Sequence, residues 1–484
     1  MTLGGSDGGW TLEQLAAAAG GRVIGGEAST RVTGPVVIDS RAVEPGALFV
    51  AVPGEHVDGH DYAGAALAAG AAAVLASRPV DGPAVLVDDT TGALASVAAA
   101  HLRALPDLTT VGVTGSSGKT STKDLLAAVL EAAAPTVATA GSFNNELGLP
   151  LTVTRADAGT RWLVLEMGAR GVGHIAALCA VAPPRIGVVL NVGSAHVGEF
   201  GSREVTARAK GELVEALPAD GVAVLNADDP LVSAMAGRTS ARVVTFGLTP
   251  AADVSARATS LDPLGRASFE LVTPEGSAEV VLQVSGEHQV ANALAAAAVG
   301  REAGLAVADV AAALSAAAAR SRWRMEVTER ADGVTVVNDA YNANPESVRA
   351  ALKALAGMGR SVPRGSLPRR TWAVLGEMRE LGATSRDEHD ALGRLVVRLD
   401  IHRLVAVGEP ARPIALGAGL EGSWGGEAAW VPDVDAALAV LRAELEPGDI
   451  VLVKASRAVG LERVAAALLA DVPGAEAAAE EGTS

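Results

Sequence analysis

Apolar residues along the chain fall into short continuous runs and longer alanine- and leucine-rich stretches, and the rhythm between them changes twice. Runs of four to eight bounded by turn residues predict buried strands, while spacing near 3.6 predicts helices. Residues 1–107 mix the two, with strand-like "VTGPVVIDSR", "GALFVAV", "AAVLAS" and "PAVLVDD" around a helix-like "YAGAALAAGA". The turn-rich "RALPDLTT" ends this segment. From Thr109 strands and helices alternate. "TTVGVT", "RWLVLEM", "RIGVVLN" and "GVAVLN" predict strands; "KTSTKDLLAAVLEAA" and "EVTARAKGELVEAL" predict helices. A helical pair, "QVANALAAAAVGREAG" and "AVADVAAALSAAAAR", closes the segment near residue 320. The alternation then resumes with "VTVVN", "PESVRAALKALAG", "TWAVLGE", "SRDEHDALGRLVVRL", "RLVAVG", "DIVLVK" and "RAVGLERVAAALLA". Such alternation builds a mostly parallel sheet covered on both faces. "GRSVPRGSLPRR" reads as a surface loop and the acidic "EAAAEEGTS" as a frayed tail.

Composition narrows the class. A chain of 484 residues is long enough for about three domains at roughly 150 residues each. With 49% apolar and 20% charged residues it reads as a soluble, well-packed protein. A net charge of −17 argues against a dominant nucleic-acid footprint, though not against a locally basic anion site. The start "MTLGGSDGGW" lacks a basic stretch leading into an apolar run, and no apolar run is long enough to span a membrane. The single cysteine, Cys179, excludes an intramolecular disulfide and a cysteine-based metal site; it reads as a core residue. These features together fit a cytoplasmic protein. Of 39 lysines and arginines only five are lysine: Lys119, Lys123, Lys210, Lys353 and Lys454. A chain that takes arginine for generic positive charge keeps lysine where a compact primary amine is needed.

"VTGSSGKTST", Val113 to Thr122, resembles a phosphate-binding loop but lacks the glycine five residues before Gly118, where Val113 stands. Its context, strand then glycine-rich turn then helix, is what nucleotide phosphates require. Glycines turn backbone N–H groups toward the anion and the helix N-terminus adds its dipole. Gly115, Ser116, Ser117, Gly118 and Ser121 would form the cradle, Lys119 would reach the outer phosphates and Thr120 would hold Mg²⁺. Glu166 ends the strand "RWLVLE", at the carboxyl edge where ligands collect in such sheets, and a carboxylate there suits Mg²⁺. His196, in "NVGSAHVGEFGS", reads as a catalytic base, a metal ligand or a packed core histidine. Lys210 reads as a solvated helix residue unless the scarcity of lysine marks it. The expected fold class is α/β in three domains. These are a small mixed N-terminal domain (1–107), a central P-loop ATPase-like domain with a mostly parallel sheet (108–320) and a C-terminal Rossmann-like domain (321–484).

These residues carry a resemblance to the ATP-dependent Mur ligases, which build the peptidoglycan stem peptide and whose loop has the shorter form "TGSSGKTS". It runs over nearly the whole chain. "DSRAVEPGALFVAVPGEHVDGHDY", "NNELGLPLT", "LEMGARGVGHI", "NDAYNANPES", "LGEMRELG" and "KASRAVGLE" resemble the branch that adds a D-alanyl-D-alanine dipeptide. "YNANP", Tyr341 to Pro345, separates that branch from members with a "YAHTP"-like element, and no "DNPR"-type element is present. The resemblance implies nucleotide contacts at Asn292, Arg324 and Asp339, with Mg²⁺ (two ions) near Thr120, Glu166 and His196. It also implies that CO₂ can carbamylate Lys210, turning a cation into an anionic metal ligand, chemistry arginine cannot do. The uridine-diphosphate end would meet Ser40 and Arg41, and Asn144 and Asn145 would lie between the two substrates. Tyr341, Asn342, Asn344, Ser456 and Arg457 would complete the substrate side. Gln289, Trp323, Glu377 and Ala455 depart from the residues common in the family. The implied reaction joins D-alanyl-D-alanine to UDP-N-acetylmuramoyl-tripeptide through an acyl phosphate, by a monomer. The alternatives are a sister ligase adding a different amino acid and a non-catalytic ATP-binding regulator.

Overall fold

The computed structural model describes residues 8–54, 57–193, 202–361, 368–421 and 427–471. Among them the strands form three large sheets and one small two-stranded pair. The N-terminal sheet has five strands in the order Arg22–Ile24, Ala84–Leu86, Ala73–Ala76, Leu48–Val50 and Val36–Val37. Its first pair is antiparallel and the rest are parallel. The helix Thr90–Arg103 lies beside it, capped by Asp89, whose carboxylate accepts the N–H groups of Thr91 and Gly92. Ala104–Leu108 then connects to the central sheet.

That sheet has nine described strands. Seven are parallel, from the edge inward Thr136–Ala138, Trp162–Glu166, Thr109–Thr114, Ile186–Val189, Val222–Asn226, Arg242–Gly247 and Val254–Leu261. The remaining two, Arg266–Thr273 and Gly276–Ser285, extend it antiparallel. The apolar rhythm read from sequence gave no strand between Val254 and Ser285, so this extension is an addition to it. Its middle strand has every second residue buried, Ala267, Phe269, Leu271 and Thr273, as a half-buried strand must. From Thr109–Thr114 the chain runs first to one side of the sheet and then to the other. The glycine-rich loop therefore sits at the topological switch point, where an open α/β sheet leaves a crevice.

Helices Lys119–Glu131 and Gln289–Glu302 cover one face. They approach closely: a Cβ on Gly300 would lie 2.6 Å from Val129 Cγ1. Helices His174–Val181 and Arg203–Glu215 cover the other face. Cys179 packs there beside Met167, and burial pushes its thiol up to about 12, consistent with its reading as a core residue.

The C-terminal sheet has six described strands in the order Glu326–Glu329, Thr335–Asn338, Ile450–Lys454, Thr371–Leu375, Arg403–Val407 and Ala428–Val431. All pairs are parallel except the first, a hairpin. Half of "GRSVPRGSLPRR", residues 362–367, and the acidic tail lie outside the described residues. No described helix is long and apolar enough to cross a membrane.

Candidate active site

The turn after Thr114 works because Gly118 sits at φ +81°, in the left-handed region that favours glycine. A Cβ there would come within 2.6 Å of Asn292 Oδ1. Asn292 is itself committed: its Oδ1 accepts the Thr122 hydroxyl at 3.1 Å and its Nδ2 donates to Gln289 Oε1 at 2.8 Å. It lines the site while bracing the loop from beneath. Asn191, two residues beyond the strand Ile186–Val189, braces it from the side. Its Oδ1 accepts the N–H groups of Ser116 and Ser117, both at 3.0 Å, and its Nδ2 donates to Ser117 O at 3.2 Å. Lys119 Nζ curls back to donate to Gly115 O at 2.7 Å.

A cavity of about 640 Å³ opens over this loop, walled by both the central and C-terminal domains. On the central side Glu166 ends its strand almost fully buried, 1% exposed. Its Oε1 accepts Asn144 Nδ2 at 2.7 Å, and its Oε2 has no partner. Lys210, 3% exposed, projects into the same cavity from the helix Arg203–Glu215. Burial, then the nearby Lys119 ammonium, holds its amine well below the ordinary lysine range. Burial also lowers Lys119, opposed by the Glu166 carboxylate.

The C-terminal wall follows from strand pairing. Asn338 and Val453 are register partners, so the next residues, Asp339 and Lys454, emerge side by side. Lys454 Nζ donates to Asp339 Oδ2 at 2.6 Å and to Asn342 O at 2.9 Å. Arg324 crosses to the central domain. Its Nη2 donates to Thr120 Oγ1 at 3.1 Å, its guanidinium lies 4.1 Å from the Tyr341 ring centroid, and its buried Nε has no partner. The Tyr341 hydroxyl meets the Ser142 hydroxyl, a second crossing.

The cavity thus gathers Ser116–Ser121, Asn144, Asn145, Glu166, Lys210, Asn292, Arg324, Asp339, Tyr341, Asn342 and Asn344. Several of these also carry structural bonds. Asn344 caps the helix Pro345–Arg360 reciprocally with Ser347, and Asn145 Oδ1 accepts Gly148 N–H at 2.9 Å. Gly115 backs the loop without lining the cavity.

Four of the expected substrate residues lie off the cavity wall. Ser40 and Arg41 form a short turn, Arg41 facing solvent and paired with Asp39 at 2.7 Å; their neighbour Ile38 reaches the wall. Ser456 accepts Arg379 N–H at 2.9 Å and donates to Ala343 O, fastening two loops. Arg457 stacks 4.3 Å from the Trp323 ring centroid and pairs with Glu462. Trp323 holds φ +60°. His196 lies outside the described residues. Lining residues that the sequence reading did not assign include Asn191, Arg170, His174 and Lys454. Of these Lys454 carried a signal, as one of five lysines.

The two orphaned atoms test whether the site suits Mg²⁺ and a nucleotide. A buried carboxylate oxygen without a donor calls for a cation, and a buried guanidinium N–H without an acceptor calls for an anion. The free backbone N–H groups at the start of Lys119–Glu131 add to the anion side. The residues fit both groups. Among the described residues no group of three His, Cys, Asp or Glu side chains could hold a metal by itself, so phosphate and hydroxyl oxygens would have to complete its shell.

A switch-point loop facing Lys119, Lys210 and Arg324 between two α/β domains describes a nucleotide-binding site, and the chain belongs to the Mur ligase family. Profiles match for the Mur ligase family catalytic domain over residues 35–110, the middle domain over 113–300 and the glutamate ligase domain over 323–457. The UDP-N-acetylmuramoyl-tripeptide–D-alanyl-D-alanine ligase of Mycobacterium tuberculosis is 54% identical, covering 95% of this chain and 98% of its own. The enzyme of that name from Escherichia coli is 35% identical over the same shares. Among solved structures, MurF from Acinetobacter baumannii superposes with a TM-score of 0.84 at 31% identity, covering 96% of this chain and 99% of its own. MurF from Thermotoga maritima in complex with ADP gives 0.77 at 33%, covering 91% and 98%.

Proposed function

We propose that this chain joins D-alanyl-D-alanine to the tripeptide carboxyl of UDP-N-acetylmuramoyl-tripeptide at the expense of ATP, in the cytoplasm, supplying the pentapeptide precursor of peptidoglycan. The observation that carries it is the pair of buried, unpartnered atoms, Glu166 Oε2 and Arg324 Nε, in one cavity beside Lys119 and Lys210. The relatives' shared activity supports the choice of substrates.

A carboxylate is a poor acyl donor and needs activation. The tripeptide carboxylate attacks the γ-phosphate, giving an acyl phosphate and ADP; the dipeptide amine then displaces phosphate. Such transfer rests on positioning and charge neutralisation. Lys119 and Arg324 offset the charge of the triphosphate and the approaching carboxylate. Thr120 and Glu166 would hold Mg²⁺, joined by Lys210 if carbamylated, and the metal would supply further charge neutralisation. The depressed Lys210 amine supports carbamylation, because only a neutral amine condenses with CO₂. The C-terminal wall of Asp339, Tyr341 and Lys454 excludes water that would hydrolyse the acyl phosphate.

The test is phosphate release from ATP, Mg²⁺ and UDP-N-acetylmuramoyl-tripeptide with and without D-alanyl-D-alanine. Release that needs the dipeptide and yields the pentapeptide is expected. Release that ignores the dipeptide but answers to a free amino acid would assign a sister activity instead.

A further inference from the structure

Lys123 is the buried lysine for which the reaction above has no task. It lies one turn beyond Lys119 on the same helix, 3% exposed, paired with Asp124 at 2.5 Å. Its Nζ also donates to Thr139 O at 2.9 Å and lies 3.5 Å from Ser321 Oγ. Each partner leads to a different wall of the cavity. Thr139 Oγ1 accepts the backbone N–H of Glu166 at 3.1 Å, and the segment it begins runs on through Ser142 to Asn144. Ser321 belongs to the crossing between domains, and its N–H donates to Asp124 Oδ2 at 3.0 Å.

That crossing is strapped along the phosphate-loop helix at three levels. Arg320 forms two bonds to Glu131 at the far end, Ser321 meets Lys123 and Asp124 in the middle, and Arg324 reaches Thr120 at the loop. Two non-glycine residues in the strap, Trp323 and Met325, hold φ at +60° and +52°. Backbone of that kind persists only where its surroundings over-determine it. The middle level holds the buried charge pair, Lys123 and Asp124 being 3% and 9% exposed.

We propose that Lys123, with Asp124, is a positioning residue that sets the register of the phosphate loop, the Glu166–Asn144 wall and the C-terminal domain. One ammonium ties the helix bearing Thr120 to the Thr139–Asn144 segment, whose Thr139 hydroxyl accepts the Glu166 N–H, and to the crossing that bears Arg324. Without it each segment keeps its own bonds, but their mutual placement is free to drift. The nucleotide still finds its loop, whereas the dipeptide amine no longer meets the acyl phosphate squarely. Water then takes its place, and the acyl phosphate splits into the starting carboxylate and phosphate with no amide formed.

The inference rests on the ligase reading, and the experiment separates the two. In Lys123→Met, kcat for pentapeptide should fall by about 10- to 100-fold, the scale of a one-ångström misplacement. ADP affinity should stay within about threefold, less than 1 kcal/mol. Phosphate released per pentapeptide should rise well above the wild-type ratio, a readout that partial unfolding leaves unchanged. Because this variant strands the buried Asp124 charge, Lys123→Met/Asp124→Asn, which leaves no lone charge, is measured beside it. A folded variant with wild-type kcat and ratio would overturn the proposal, as would a kcat loss matched by equal loss of ADP affinity. A wild-type enzyme without dipeptide-dependent turnover would sink the ligase reading instead.

Discussion

Replacing Gly118 with alanine tests the loop geometry most directly. Two costs add. An L-residue held in the left-handed region is disfavoured by about 1–2 kcal/mol. The new methyl would also stand 2.6 Å from Asn292 Oδ1, and turning that amide away breaks its bond to the Thr122 hydroxyl, worth about 1 kcal/mol. The sum is about 2–3 kcal/mol. For a unit the size of the central domain that lowers the melting temperature by roughly 4–12 °C. ADP affinity should fall as well, by about tenfold if the turn shifts the N–H groups that face the phosphate by 1.4 kcal/mol of interaction. Gly357→Ala is the control. It lies inside the helix Pro345–Arg360 with no atom within 4 Å of its Cβ, so it should be stabilised by about 0.4–1 kcal/mol. Thermal unfolding and ADP titration of both variants decide it. If Gly118→Ala melts within about 2 °C of wild type and binds ADP equally well, the strain assigned to this turn is wrong.

Two further predictions concern charge. Lys210 titrates well below 10.5 in the folded chain, so between its folded value and 10.5 the unfolded chain binds more protons and this group's contribution to stability rises with pH. Lys210→Met should flatten that part of the stability–pH curve; parallel curves would refute the burial argument. Glu166→Gln keeps an acceptor for Asn144 but removes the orphaned charge, so the Mg²⁺ dependence of ADP binding should weaken by about tenfold or more while thermal stability holds. An unchanged Mg²⁺ titration would remove Glu166 from the metal site.

What the sequence disclosed depended on how local the determinant was. The switch-point loop could be read because glycines, Lys119 and Thr120 are contiguous and their spacing is itself the geometry. Scarcity of lysine pointed inward, and Lys123, Lys210 and Lys454 are each 3% exposed. The strand Arg266–Thr273 carries its period-two signal openly in "RASFELVT", but it escapes a reading tuned to continuous apolar runs. Asn292, Asn344 and Ser456 show a different limit. An amide or hydroxyl serves a helix cap, a loop brace or a ligand equally well, and only the partners fixed by the tertiary fold distinguish them. Asn191 left no mark beyond its place after a strand, because the bonds its Oδ1 accepts from the Ser116 and Ser117 N–H groups reach 75 and 74 residues back along the chain.

The inward placement of lysine also gives the molecule an unusual chemical surface. Of its five lysine side chains, all within the described residues, only Lys353 is exposed, on the helix Pro345–Arg360. An acylating dye, a cross-linker or an activated bead therefore finds one lysine handle at a fixed place on the C-terminal domain. Lys119, half-buried, lines the cavity, so its modification should be blocked by whatever occupies the phosphate loop. Labelling at Lys119, set against Lys353 as an internal reference, is a gauge of site occupancy that needs no turnover.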